Sequence, residues 1–162
     1  SDYPKGRTFL GISYLNNKDS AKQYAWIDLK KTSELSKGFS SIHMGLSYPL
    51  DFDRRTEKTK KFKNKVKFES SLNNPAIAQG ILLKLNLLAS DSGITPHGLG
   101  SLVISSPIQF AGRNLQGLSL YQFANYYDSA MSHWQMFGID SQDDFVELDN
   151  IVLNVVKKIN DG

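Results

Sequence analysis

Three histidines, His43, His97 and His133, carry the ring nitrogens that could ligate a metal or move a proton near neutral pH. No two of them have the H-x-x-x-H spacing that places two imidazoles on one helix face, and none has a carboxylate beside it at metal spacing. Solvated surface histidines are the expectation, with no metal and no cofactor. The chain has no cysteine, which excludes thiol catalysis, a Cys-liganded zinc or iron–sulfur site and a disulfide framework. A G-x-S-x-G nucleophile elbow does not occur. Gly98-Leu99-Gly100-Ser101 lacks that frame, and it also lacks the third glycine and the long following helix of a dinucleotide fingerprint. Its glycines read as backbone freedom in a tight turn. Asp140, Asp143, Asp144, Glu147 and Asp149 form an acidic cluster. A calcium loop needs oxygens at alternate positions around a central glycine, and Phe145-Val146 interrupts that spacing. Capping of a helix N-terminus explains the cluster better. No catalytic residue is expected, and the chain is read as a non-enzyme.

The loudest charge feature is residues 54–67, where eight basic residues face Glu57 alone, a net +7. The whole chain is only +3, so the remainder carries −4. Lys58, Lys60, Lys61, Lys63, Lys65 and Lys67, with Phe62 and Phe68 interleaved, could track a phosphate backbone and stack on bases. An alternating lysine strand also protects a sheet edge from aggregation. Lysine dominates over the bidentate arginine typical of phosphate recognition. Residues 91–162 carry three basic against eight acidic groups, so the basic footprint is local. These lysines are the candidate contacts for a partner or polyanion. Whether the stretch is a strand or a short helix is open, because Phe62, Val66 and Phe68 fit either.

Seven Tyr, nine Phe and two Trp raise a carbohydrate platform as a third chemistry. However, Phe123, Tyr127 and Trp134 follow a helical core stripe, and Trp26 sits in a strand pattern. Core packing is the expectation for them, with Tyr121 and Tyr126 left as the helix aromatics nearest a surface.

The elements that would position these groups fall into two kinds. Residues 8–15 and 24–29 are β-rich runs across the polar turn 16–20 and predict a hairpin. Residues 32–37 predict one helical turn stopped by Gly38, and 41–48 a third strand ended by Pro49. Asn74-Pro75 is a helix start, with asparagine as N-cap and proline at the first helical position. Ile77, Ile81, Leu85 and Leu88 recur at helical spacing, and Leu82, Leu83 and Leu87 widen the apolar surface. That helix should be central, with Gly93 as its stop. Leu102-Val103-Ile104 predicts a short strand. Ser119-Leu120-Tyr121-Gln122 has the capping-box form, and Leu120, Phe123, Ala124, Tyr127, Ala130, Met131 and Trp134 give the next helix its stripe. Tyr121, Gln122, Asn125, Asp128, Ser132 and Gln135 fall on its other face. A last helix starts near Ser141 and buries Phe145, Leu148, Val152, Val155 and Ile159. Strands first and helices later predict an α+β fold: a small antiparallel sheet from residues 7–50 packed on about three helices from 74 to 160. One domain, 1–162, is expected, with a β-rich region over residues 1–53, a basic connector or strand over 54–73 and a helical region over 74–162. A chain with 40% hydrophobic and 22% charged residues is too apolar for disorder. No apolar run approaches the roughly 18 residues of a membrane span.

Residues 79–103, from Gln79-Gly80-Ile81-Leu82-Leu83-Lys84-Leu85-Asn86-Leu87-Leu88 into Gly93-Ile94-Thr95-Pro96-His97-Gly98-Leu99-Gly100, resemble a segment of large secreted and cell-surface proteins of Bacteroidota. There a LVALKLN-like helix runs into a G-x-x-P-x-G-x-G-x-L turn. Leu115-Gln116-Gly117-Leu118-Ser119 and the ending Leu148-Asp149-Asn150-Ile151 through Asn160-Asp161-Gly162 are similar to later stretches of the same pattern. The resemblance covers about residues 70–162. It implies a mainly helical, non-catalytic module of exported proteins that reach the surface by type IX secretion. Partners would be other protein domains or a surface polymer rather than nucleic acid, and the location extracellular or cell-surface. The family has no catalytic residues to carry over. The start at Ser1-Asp2-Tyr3-Pro4 and the end at Asp161-Gly162 read as a processed or excised piece of a larger chain. The expected function is a structural or adhesion-type interaction module. The alternative is a polyanion- or nucleic-acid-binding domain using the stretch 54–67.

Overall fold

The computed structural model describes residues 8–11, 26–40, 43–50, 65–68, 72–110, 112–139 and 141–162. Its elements are, in chain order, β1 (Thr8–Leu10), β2 (Trp26–Leu29), α1 (Thr32–Phe39), β3 (Lys65–Val66), α2 (Pro75–Asp91), a 3₁₀ turn (Leu99–Ser101), β4 (Gln109–Phe110), β5 (Arg113–Asn114), α3 (Leu120–Ser132), a second 3₁₀ turn (Trp134–Phe137), α4 (Gln142–Ile151), a π-helical segment (Val152–Val156) and α5 (Lys157–Asp161). The architecture is α+β and mostly helical.

The sheet differs from the expected one. β1 and β2 pair antiparallel, with Phe9 opposite Asp28, and the predicted turn between them lies outside the described residues. The third strand is β3, parallel to β2, with Ile27 opposite Val66. The sheet is therefore mixed, and it reaches past the first fifty residues. Of the predicted strand 41–48, residues 43–48 form no strand. Asn73 takes that role by accepting the Met44 and Gly45 N–H groups at 2.8 and 3.0 Å. All four residues of β2 are buried, so its period-two alternation does not divide an inner from an outer face. Gly38 does not stop α1, which runs one residue further. Instead it lets the helix approach Phe68, whose ring would lie 1.9 Å from an added Cβ.

α2 is the central element. Asn74 accepts the Ala76 N–H at 3.0 Å and donates to the Tyr48 carbonyl at 2.8 Å, so one buried side chain caps the helix and ties down the preceding loop. Replacing Asn74 by alanine removes both roles. The expected loss is about 1–2 kcal/mol in a urea melt, at the upper end for a helix cap. Mean apolarity rather than an apolar stripe marks this helix, which is buried at Ile77, Ile81, Leu83 and Leu87. Gly93 takes φ +72° just beyond its end. α3 starts on the Ser119–Gln122 capping box, with the Ser119 N–H donating to Gln122 Oε1 at 2.9 Å. It ends at Ser132, so Trp134, the last residue of the expected stripe, falls in the second 3₁₀ turn. One apolar cluster joins Leu10 and Ile27 of the sheet to α2, α3, α4 and the π segment.

Candidate interaction groove

Two adjoining depressions share Leu99, Leu102, Ile159 and Gly162 as common walls, with volumes of about 540 and 640 Å³. One wall is the connection 94–108 that follows α2. The other is the chain's last helical stretch, through Asn154, Val155, Lys158 and Ile159. Together they form a single open groove with an aliphatic lining. Leu102 and Val103 are each 59% exposed on its lip, and Ile94, in the same connection, is 80% exposed. Leu102 and Val103 are neighbours in sequence, so their exposed aliphatic surface is continuous along the lip.

The connection is held in place by specific bonds. Ser90, fully buried, donates its hydroxyl to the Pro96 carbonyl at 2.8 Å and accepts the Leu99 N–H at 3.2 Å. Gly98 turns the chain at φ +100°, a conformation that L side chains rarely adopt. Gly100 lies flat against Tyr121, whose ring carbons would be 2.2 Å from an added Cβ, and the Tyr121 hydroxyl donates to Asp91. The opposite wall is tied to α2 by side-chain amides. Asn86 Nδ2 donates to Asn160 Oδ1 at 2.9 Å, and Asn160 Nδ2 donates to Gln79 Oε1 at 2.8 Å.

That wall contains the π segment, in which the Lys157 N–H reaches the Val152 carbonyl five residues back. A π turn gives up the tighter α-helical ladder and recurs at functional positions. Here its Asn154 and Val155 line the groove. Among the described residues, Lys158 is the one charged side chain lining the half of the groove next to Val103.

Of the histidines singled out by sequence, His97 reaches the groove, and His43 and His133 have structural duties. Lys58, Lys60, Lys61 and Lys63 lie outside the described residues. Lys65 is in β3, and Lys67 is exposed just beyond it. Residues 65–66 are therefore strand. His43 is not a solvated surface ring. It stacks on Phe68 at 5.6 Å between centroids, and its Nε2 donates to the Gly38 carbonyl at 2.7 Å. His133 closes α3, and burial lowers its pKa from the ordinary value. His97 is exposed in the connection and lines the second half of the groove. Among the described residues, no three His, Asp or Glu side chains gather to hold a metal, and no helix is long and apolar enough to cross a membrane. Ser141 and Asp144 form a capping box, which gives the acidic cluster its structural role.

Two assignments along α3 are corrected. Tyr126 is not a surface aromatic. It is buried between Phe110 and Phe137, with Arg113 over its ring at 4.8 Å and its hydroxyl donating to the Phe110 carbonyl. Asp128 and Ser132 do not face water. Ser132 is fully buried, and Asp128 pairs with the buried ammonium of Lys84 while accepting the Gly11 N–H at 2.9 Å. This pair joins α2, α3 and the end of β1. It was invisible to an apolar-period reading, which counts where hydrophobic residues recur and passes over a lysine among them. No protein-family model, curated protein or solved structure matches the chain.

Proposed function

We propose that this chain is a non-enzymatic interaction module, structural or adhesive, of a secreted or surface-exposed bacterial protein. The open aliphatic groove between the connection 94–108 and the last helical stretch carries the reading, because its exposed Leu102 and Val103 gain most by being covered. The exported setting rests on the resemblance of residues 70–162 to Bacteroidota surface proteins. The walls are fixed by the buried Ser90 and by the Asn86–Asn160 bond, so the groove is preformed and loses little freedom on binding.

Fractionation of the native organism with mass spectrometry of this sequence tests the setting. The sequence is expected in the surface or secreted fraction, within a polypeptide much larger than 18.1 kDa. A cytoplasmic protein of this size overturns it. The polyanion alternative is separated by heparin chromatography of a variant with Lys60, Lys63 and Lys65 changed to glutamate. Module function predicts no salt-sensitive retention that these changes abolish. Retention lost in the variant transfers the function to the basic stretch.

A further inference from the structure

The groove carries a feature that aliphatic lining alone does not explain. The Leu102 carbonyl accepts the Leu120 N–H at 2.9 Å, and the Ile104 N–H donates to the Leu118 carbonyl at 2.9 Å. Val103 and Ser119 bridge antiparallel between those two bonds. In that pattern the central residues form a non-hydrogen-bonded pair, and their own N–H and C=O groups turn away from one another. Val103 therefore presents its backbone donor and acceptor on the side opposite Ser119. The groove lining includes residues 102–106 and 108, and from the paired stretch Leu120 but none of 115–119. Val103 thus offers an open strand edge to the groove. The edge is short, because the Ser105 carbonyl is taken by Gln116 Nε2 at 2.9 Å and Pro107 has no N–H.

We propose that the groove binds an extended peptide segment of a partner protein, which adds as a strand along Val103. Two observations fix the chemistry of that segment. The backbone groups of Val103, unpaired among the described residues, call for a partner main chain in β conformation, since a helix has no backbone groups to offer sideways. The aliphatic walls call for apolar side chains on alternate positions of the segment, the set that faces one side of a strand. Lys158 has no ion pair among the described residues, and it stands as the lone charge beside Val103, so it selects a segment with a carboxylate among those apolar residues. This inference rests on the interaction reading above and adds the mode of binding and the class of partner.

One substitution addresses the edge directly. Leu102 has φ −63° and ψ 143°, the conformation required of a residue before proline. The Val103 N–H makes no bond within the described residues, so Val103→Pro removes a donor that the fold does not use. The test selects linear random dodecapeptides displayed on phage against the intact chain. Synthetic copies of the winners are then titrated by fluorescence anisotropy. Winners are expected to alternate apolar residues with at least one acidic residue. Val103→Pro, compared at a temperature where its own unfolding midpoint shows it folded, should weaken them tenfold or more, and Lys158→Glu, which leaves the backbone edge intact, should weaken acidic winners and spare neutral ones. Hydrogen exchange at the Val103 amide should slow on binding.

Winners with apolar residues at helical spacing, or peptides indifferent to Val103→Pro, overturn strand addition while leaving an interaction groove in place. Selection of nothing at all, with Leu102→Asp also silent in every binding assay, overturns both readings. A dimer of the free chain that Val103→Pro dissolves, read by sedimentation, gives the edge to a second copy and overturns the foreign segment.

Discussion

Lys84→Met is expected to destabilise the protein by about 3–5 kcal/mol near neutral pH, because it leaves the Asp128 carboxylate buried without its cation. The double variant Lys84→Met with Asp128→Asn should recover most of that loss. Asparagine still offers an oxygen to the Gly11 N–H, and no charge remains to be desolvated. Recovery follows from the balance at this site. Burial holds the Asp128 carboxyl above the ordinary carboxylate range, against the opposing pull of the Lys84 ammonium and the Gly11 N–H. The cost of desolvation thus exceeds what the partners return. A raised value means that the folded chain binds this proton more tightly than the unfolded one. The stability linked to it is complete below the ordinary carboxylate range and is lost as pH rises through the raised value. The Lys84→Met defect should accordingly shrink on acidification, as Asp128 takes up its proton. Urea midpoints measured across the mildly acidic range check both points. A single-variant loss under about 1 kcal/mol at neutral pH would show that the pair is hydrated rather than buried.

The second large effect is expected at Gly80, where α2 meets both β1 and α3. Alanine there gains about 1 kcal/mol of helix propensity over glycine. Its Cβ, however, would stand 2.6 Å from Tyr127 Cε1 and 2.7 Å from Leu10 Cδ1. Leu10 can rotate, but the Tyr127 hydroxyl is anchored to the Ala76 carbonyl at 2.7 Å, which holds its ring in place. Overpacking costs about 1–3 kcal/mol and rises with each added carbon. Crowding therefore outweighs propensity, and Gly80→Ala should lose about 1–2 kcal/mol while Gly80→Val loses more. Adding Leu10→Ala should relieve some of the Gly80→Ala defect, a coupling that a double-mutant cycle reads directly. A Gly80→Ala protein more stable than its parent would mean that the two helices separate without cost.

The helical half was legible because its signals are local. Asn74-Pro75, the Ser119–Gln122 box and Ser141 are each written within four residues, and each begins a helix where expected. The sheet was less legible because strand pairing is a long-range choice. Nothing in Lys65-Val66 names β2 as its neighbour or selects a parallel register, so the mixed sheet could not be read from alternation. The groove was half legible. Leu102-Val103-Ile104 reads as a strand, and the structure keeps it as a bridge to Ser119 with two of its three aliphatic side chains exposed. Exposure depends on what packs across from a strand, and here that is a groove rather than a second strand. The π segment has no sequence signature of its own, since Val152 to Val156 fits an α-helix equally well. Lys84 and Asp128 became visible only when tertiary packing brought them together.

The bond from Gly11 to Asp128 spans 117 residues of sequence, and it joins the first described strand to a helix laid down near the end of the chain. Contacts this distant form late, because a long loop must close before they contribute. Helices α2 and α3 can associate first, and β1 then docks on their finished surface. Weakening the β1 dock, for example with Leu10→Ala, should therefore leave the refolding rate almost untouched and speed unfolding instead. On that order of events β1 is a latch that sets how long the folded state lasts rather than how quickly it forms.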